Sequence, residues 1–311
     1  MTKAAISMNR FSGSLLPYTR TIGGGSREDC SAGWIAGRSI LAYGVRVGIR
    51  TNKPEFLDRI LDHAPPLWKP TSVQFVERLF SLHVGGAGLR RNGRSAYRLL
   101  DDLDTAAESR SLKEILKVFE VRLKMYVAEM ARRRVFVHAG AVGWQGKAIV
   151  VPGHSMCGKT SLVAELVRAG ATYYSDEYAV LDSQGRVHPY PQSLAMRKPG
   201  SPKQKNRSVE EIGGVNGTKP LPVGLVVVSR HESGARWRPE ELSGGQGVLE
   251  LLANTVPARR KPEVVIPILR KVVMGATILK GVRGEAKETA RHILQGGFWE
   301  NRSAVEGSAR E

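Results

Sequence analysis

The chain has 311 residues, of which 41% are hydrophobic, 6% aromatic and 24% charged: a globular make-up, long enough for one large core or two ordinary ones. Its two cysteines, Cys30 and Cys157, exclude a disulfide framework and a cysteine-built metal cluster. A formal net charge of +18 points to a polyanionic partner such as a nucleotide, an acidic peptide or a nucleic acid, or else to a generally basic surface.

The first thirty residues carry scattered basic side chains but no continuous apolar run, so no signal peptide is expected. No stretch approaches the roughly 20 apolar residues of a membrane helix, and a cytoplasmic protein without membrane association is the expectation. Aromatic residues are too scarce to offer bases a stacking platform, which argues against nucleic acid.

Residues 1–35, rich in Gly, Ser and Thr, read as a poorly ordered arm. Over 40–50 the partial alternation of apolar and polar residues predicts one half-buried strand. Residues 54–64 predict a short amphipathic helix opened by Pro54. The stretches 72–84 and 96–103 fit either strand or helix. Together 36–108 read as a smaller N-terminal α+β domain of undisclosed role. At 111–133 the signal is clearer: Ser111 and Glu114 form a capping box. Leu112, Ile115, Leu116, Phe119, Leu123, Tyr126 and Val127 follow at helical spacing, as a structural helix would place them.

Strands are expected at 135–142 and 147–153, a helix at 158–170 closed by Gly170, and an interrupted strand at 172–182. The basic, Gly- and Pro-rich segment 197–220 predicts a mobile loop. A buried strand at 221–230 and helices at 245–256, 264–275 and 287–297 complete a second, larger domain over 109–298, ahead of a polar tail at 299–311.

Between the strand at 147–153 and the helix at 158–170 lies Gly153-His154-Ser155-Met156-Cys157-Gly158-Lys159-Thr160, which fits G-x-x-x-x-G-K-[ST]. The pattern alone is a moderate signal. Its position between a buried strand and a helix N-terminus is what a phosphate-gripping loop requires, because backbone N–H groups and the helix dipole then converge on anionic oxygens. All eight residues are candidate nucleotide ligands, with Lys159 on the β/γ-phosphates and the Thr160 hydroxyl on Mg²⁺.

Asp176 and Glu177 follow about sixteen residues later and suit metal binding and proton acceptance, or simply a solvated acidic turn. His138, fifteen residues before Gly153, is a catalytic candidate or a hydrogen-bonded core residue. Cys157 is either a reactive thiol at a helix N-terminus or a filler in a loop that works through its main chain.

His138, the loop at 153–160, Glu165 to Gly170 and Tyr174 to Glu177 together resemble the catalytic domain of HPr kinase/phosphorylase. The likeness covers about 135–200 and extends weakly to about 290. It implies an α/β fold: a P-loop core like that of HPr kinase and phosphoenolpyruvate carboxykinase, beside the smaller N-terminal domain. It further implies ATP and Mg²⁺ as cofactors, a homo-oligomer, and transfer of the γ-phosphoryl group to a hydroxyl of a protein or peptide. By the resemblance His138 assists at the phosphoryl group, Glu177 takes the position of the family's acid/base Asp, and Asp176 stands near the metal. Arg283 takes that of a late catalytic Arg, or is a surface residue. The chain departs from the family at Ala195, where a metal-binding Glu is usual. That departure keeps a second reading open, a catalytically inactive nucleotide-binding regulator; nucleic-acid binding driven by charge is a third.

Overall fold

A computed structural model describes residues 20–21, 33–73, 75–85, 97–154, 157–197 and 204–296. The expected arm, apart from residues 20–21 and 33–35, and the expected tail at 299–311 lie outside the described residues. The fold is mixed α/β and divides into two compact units. Of the described residues, one unit holds those up to Leu41, within Arg46–Asp62 and within Pro70–Val118; the other holds Ala42–Val45, His63–Lys69 and those from Phe119 onward.

The first unit uses β1 (Arg20–Thr21), β2 (Ala36–Ala42), β3 (Val45–Thr51), α1 (Leu57–Leu61), β4 (Lys69–Thr71), β5 (Phe75–Val76), β6 (Arg78–Val84), β7 (Tyr97–Asp101) and β8 (Asp104–Ser109). Six of these strands form a sheet in the order β4-β2-β3-β6-β7-β8. The single strand expected over 40–50 is corrected to two, β2 and β3. Tyr43 (φ 51°) and Gly44 (φ 83°) both turn left-handed between them, as a two-residue hairpin turn demands. The ambiguous stretches settle as strands: Leu79, Phe80, Leu82 and Leu99 are buried on a sheet rather than along a helix.

The second unit is entered through α2 (Leu112–Met130) and continues with β9 (Val135–Trp144), β10 (Lys147–Pro152), α3 (Lys159–Arg168), β11 (Thr172–Ser175) and β12 (Tyr178–Leu181). Then come β13 (Arg186–His188), β14 (Leu194–Arg197), β15 (Gln204–Arg207), β16 (Leu221–His231), β17 (Glu240–Glu241), α4 (Gly244–Ala253), α5 (Pro262–Gly275), β18 (Thr277–Arg283) and α6 (Ala286–Gln295). The strands β10, β16 and β18 pair in parallel, and β9 lies antiparallel beside β10.

Parallel strands need helices on both faces, and the side chains show both. Ala148, Val150, Val226 and Ile278 pack with Leu251, Val265, Leu269 and Val273 of α4 and α5. Ile149, Val151, Leu225 and Val227 pack with Leu162, Leu166, Ala290 and Ile293 of α3 and α6. Each such burial contributes about 1.5–3 kcal/mol, so the two layers fix the direction of every strand end. Gly140 on β9 lets α3 close in: a Cβ there would stand 2.4 Å from Val163 Cγ2.

The loop expected at 197–220 is corrected in part. Residues 198–203 lie outside the described residues, but β14 and β15 pair as a hairpin and a 3-10 turn follows at Glu210–Ile212. Leu194 and Val209 anchor this stretch by burying themselves among the α3 side chains. Strand β18 was not expected, because Lys280, Gly281 and Arg283 interrupt its apolar pattern. No helix among the described residues is long and apolar enough to cross a membrane.

Candidate active site

The site forms where β10 hands over to α3. Beyond Pro152, Gly153 and His154 turn away from the sheet, and Gly158 (φ 85°) caps α3 in the left-handed region. Ser155 and Met156 lie outside the described residues. Lys159 is buried and folds back over the loop, its Nζ donating to the carbonyls of Gly153 (2.6 Å) and His154 (2.9 Å). Burial lowers its ammonium below the ordinary lysine range, against the opposing pull of Cys157, Asp176 and Glu177. The Cys157 thiol is free and partly buried in the same turn.

Thr160, one residue into α3, donates from its hydroxyl to Asp176 Oδ2 at 2.9 Å. Asp176 sits in the bend between β11 and β12, where the Ser175 hydroxyl accepts from the amides of Glu177 and Tyr178 and fixes the turn. Burial pushes the Asp176 carboxyl up to about 7, against the Thr160 hydrogen bond and the Lys159 charge, with Glu177 adding to the rise. Its other oxygen, Oδ1, is buried and has no hydrogen-bond partner among the described residues.

His138 lies on β9 directly across from Tyr178 on β12. Its carbonyl accepts from the Gly153 amide at 3.2 Å, which ties the start of the loop to this strand, and its amide donates to Asn254 O at 2.7 Å. Burial first, then the nearby Lys159 and His154, push the imidazole down to about 4, so it is neutral at pH 7.

Glu177 faces α2. Lys124, buried on that helix, donates to Glu177 Oε2 (3.1 Å), Glu120 Oε1 (2.5 Å) and Gln192 Oε1 (3.2 Å), one acceptor for each ammonium proton. The Glu177 side chain nevertheless keeps 36% exposure, so it is held without being closed off. Glu120 is in turn paired with His63 Nδ1 at 3.1 Å.

Arg283 arrives from the end of β18 and is only 1% exposed. Its Nη2 donates to Gly158 O (2.8 Å) and its Nη1 to Gly284 O (3.0 Å), while Nε is buried without a partner among the described residues. Among the described residues this deep guanidinium hydrogen-bonds to carbonyls and to no carboxylate. Burial accordingly lowers its pKa, against Cys157 and Glu285.

No known protein family matches the chain, and no curated protein does.

Of the residues singled out in the sequence, Gly153, His154, Cys157, Gly158, Lys159, Thr160, Asp176 and His138 gather around the β10–α3 turn, with Arg283 locked to Gly158 and Glu177 next to Asp176. Ala195 lies on the β14–β15 hairpin, opposite Asn206, and offers no ligand atom. Among the described residues no group of three or more His, Cys, Asp or Glu side chains is placed to hold a metal alone. Lys124, Glu120, Gln192 and Asn254 were missed. For Lys124 a signal existed: it stands eight residues after Leu116 and three before Val127, a lysine on the apolar side of α2.

Proposed function

We propose that this chain is an ATP- and Mg²⁺-dependent kinase built on an HPr kinase-like P-loop core, transferring the γ-phosphoryl group to a hydroxyl of a protein or peptide. One observation carries the reading. Asp176 gives one oxygen to the Thr160 hydroxyl and holds the other buried and unpartnered, at the mouth of a lysine-bearing turn. A buried orphan carboxylate oxygen loses about 1–3 kcal/mol or more unless something occupies it, and a divalent cation is the natural occupant. Mg²⁺ keeps waters and takes substrate oxygens, so Thr160, Asp176 and the nucleotide suffice without a protein cage.

The residues then divide the work. The loop amides, Lys159 and the buried Arg283 face the anionic phosphates, whose charge the metal when bound helps to neutralise. His138, neutral, serves as a hydrogen-bond partner rather than a cation. The acceptor oxygen bonds to the γ-phosphorus as the bond from that phosphorus to the β–γ bridging oxygen breaks. The hydroxyl proton passes to Glu177 and ADP leaves.

Two features favour a second reading, a nucleotide-binding regulator without transfer: Ala195 in place of an acidic ligand, and a Glu177 oxygen already taken by Lys124. Incubation with γ-labelled ATP and serine-containing peptides separates the two. Label on a peptide, reduced by Glu177→Gln, supports the kinase; ATP binding with no label at stoichiometric protein leaves only the regulator.

A further inference from the structure

A second concavity has no part in the chemistry described. It measures about 830 Å³, within the range of ligand pockets, and all of its lining residues belong to the second unit. Arg132, Arg133 and Arg134, the turn between α2 and β9, stand along it, and no Asp or Glu is among its described lining residues. Arg133 holds a left-handed backbone (φ 59°) and is exposed; Arg134 spends one donor on the Arg133 carbonyl at 2.8 Å. Pro189, Pro191 and Pro220 also line it; they carry no amide N–H and add apolar ring surface. The Tyr43 hydroxyl in the lining is buried and without a hydrogen-bond partner among the described residues.

We propose that this cavity binds an acidic peptide segment, carboxylates against the arginines and backbone along the prolines, and that it thereby docks the acceptor. The arginine fork takes both oxygens of a carboxylate at once, and the prolines offer a peptide backbone apolar surface with no competing N–H donors. Nucleic acid fits poorly: among the described lining residues the aromatic rings are Tyr43, whose hydroxyl is buried, and His188, which is tied to Asp182, so bases find little to stack on. The position suits docking. Arg134 immediately precedes β9, and His138 lies four residues further along, roughly 13 Å at strand rise. A peptide held by the arginines reaches the site with about four extended residues. Pro191 also adjoins Gln192, which Lys124 grips together with Glu177. The docking role rests on the phosphotransfer reading; the binding itself does not.

The test uses the full chain and a fluorescein-labelled hexaglutamate peptide, followed by anisotropy at about 0.15 M salt, where charges more than about 8 Å apart are largely screened. Wild type binds it and ignores the hexaglutamine counterpart. The pair Arg133→Glu and Arg134→Glu weakens binding about tenfold or more. The same charge change on α6, Lys287→Glu with Arg291→Glu, both exposed, leaves it within about twofold. Thr218→Trp, which fills the cavity without changing charge, also weakens it. The proposal is overturned if the cavity variants bind like wild type, or if the α6 pair loses as much as the arginine pair. Mg²⁺–ATP binding, measured alongside, is unchanged in the arginine pair. A chain that binds the peptide but not ATP sinks the kinase reading and leaves the peptide site standing.

Discussion

Arg283 Nη2 donates to the carbonyl of Gly158 at 2.8 Å, joining residues 125 positions apart and pinning the end of β18 to the cap of α3. Gly158 is suited to this in two ways. Its φ of 85° is left-handed, and a Cβ there would stand 2.4 Å from Arg283 Nη2. Gly158→Ala therefore strains the turn by about 1–2 kcal/mol and drives the guanidinium off the loop. Nucleotide affinity should fall about tenfold or more in Gly158→Ala and in Arg283→Ala alike, with the double variant little worse than either. Fully additive losses in the titrations would show that the two residues act apart.

The Asp176 carboxyl titrates near 7 in the folded chain, above its ordinary value of 3.8, chiefly because it is buried. Between these values the folded chain holds a proton that the unfolded chain has lost. The stability this adds is full below about pH 4 and disappears as pH rises through about 7. Asp176→Asn should flatten that part of a urea-denaturation pH profile. A metal ligand must be ionised, so Mg²⁺–ATP affinity should rise between about pH 6 and 8 in wild type and stay level in the Asn variant. A level wild-type profile would remove Asp176 from the metal.

His138 behaves in the opposite sense. Its folded value, about 4, lies below the ordinary 6.5, so the unfolded chain binds the extra proton between them. Stability from this group is present above about pH 6.5 and is lost as pH falls through about 4. Proton NMR of the imidazole should give a midpoint near 4; one near 6.5 would mean that the ring is exposed.

Lys124 satisfies three acceptors from a buried position. Lys124→Met keeps the shape of the stem but strands Glu120, Glu177 and Gln192. Because both carboxylates are about one-third exposed, solvent screens part of the loss, and about 1–3 kcal/mol in urea denaturation is expected. The loss should be smaller at acid pH, where the carboxylates are neutral. An unchanged denaturation midpoint would show that the ammonium contributes nothing net.

The second unit was legible wherever one local pattern sufficed. The apolar runs of β10 and β16, the helical spacing of α3 and the glycine at 170 all act within a few residues of themselves. The reading failed where distant packing decides. Strand β18 carries Lys280 and Arg283 and becomes a strand through parallel pairing with β16, from Leu225 opposite Thr277 to His231 opposite Arg283. That pairing is also what delivers Arg283 to the loop, so the same residue was only loosely placed in sequence. Likewise Leu194 and Val209 are too isolated to predict a hairpin, yet they order it by reaching the α3 layer. Lys124 stayed hidden because its three partners come from α2, the β11–β12 bend and the segment after β13.

We propose above all that the turn between β10 and α3, with the Lys159 side chain folded back over it, binds nucleotide phosphate. Isothermal titration of Mg²⁺–ATP into wild type and Lys159→Ala tests it most directly. Saturable binding to wild type and a loss of about tenfold to a hundredfold in the variant are expected, the scale of one hydrogen-bonded charge. A Lys159→Ala chain that binds Mg²⁺–ATP as tightly as wild type would contradict it.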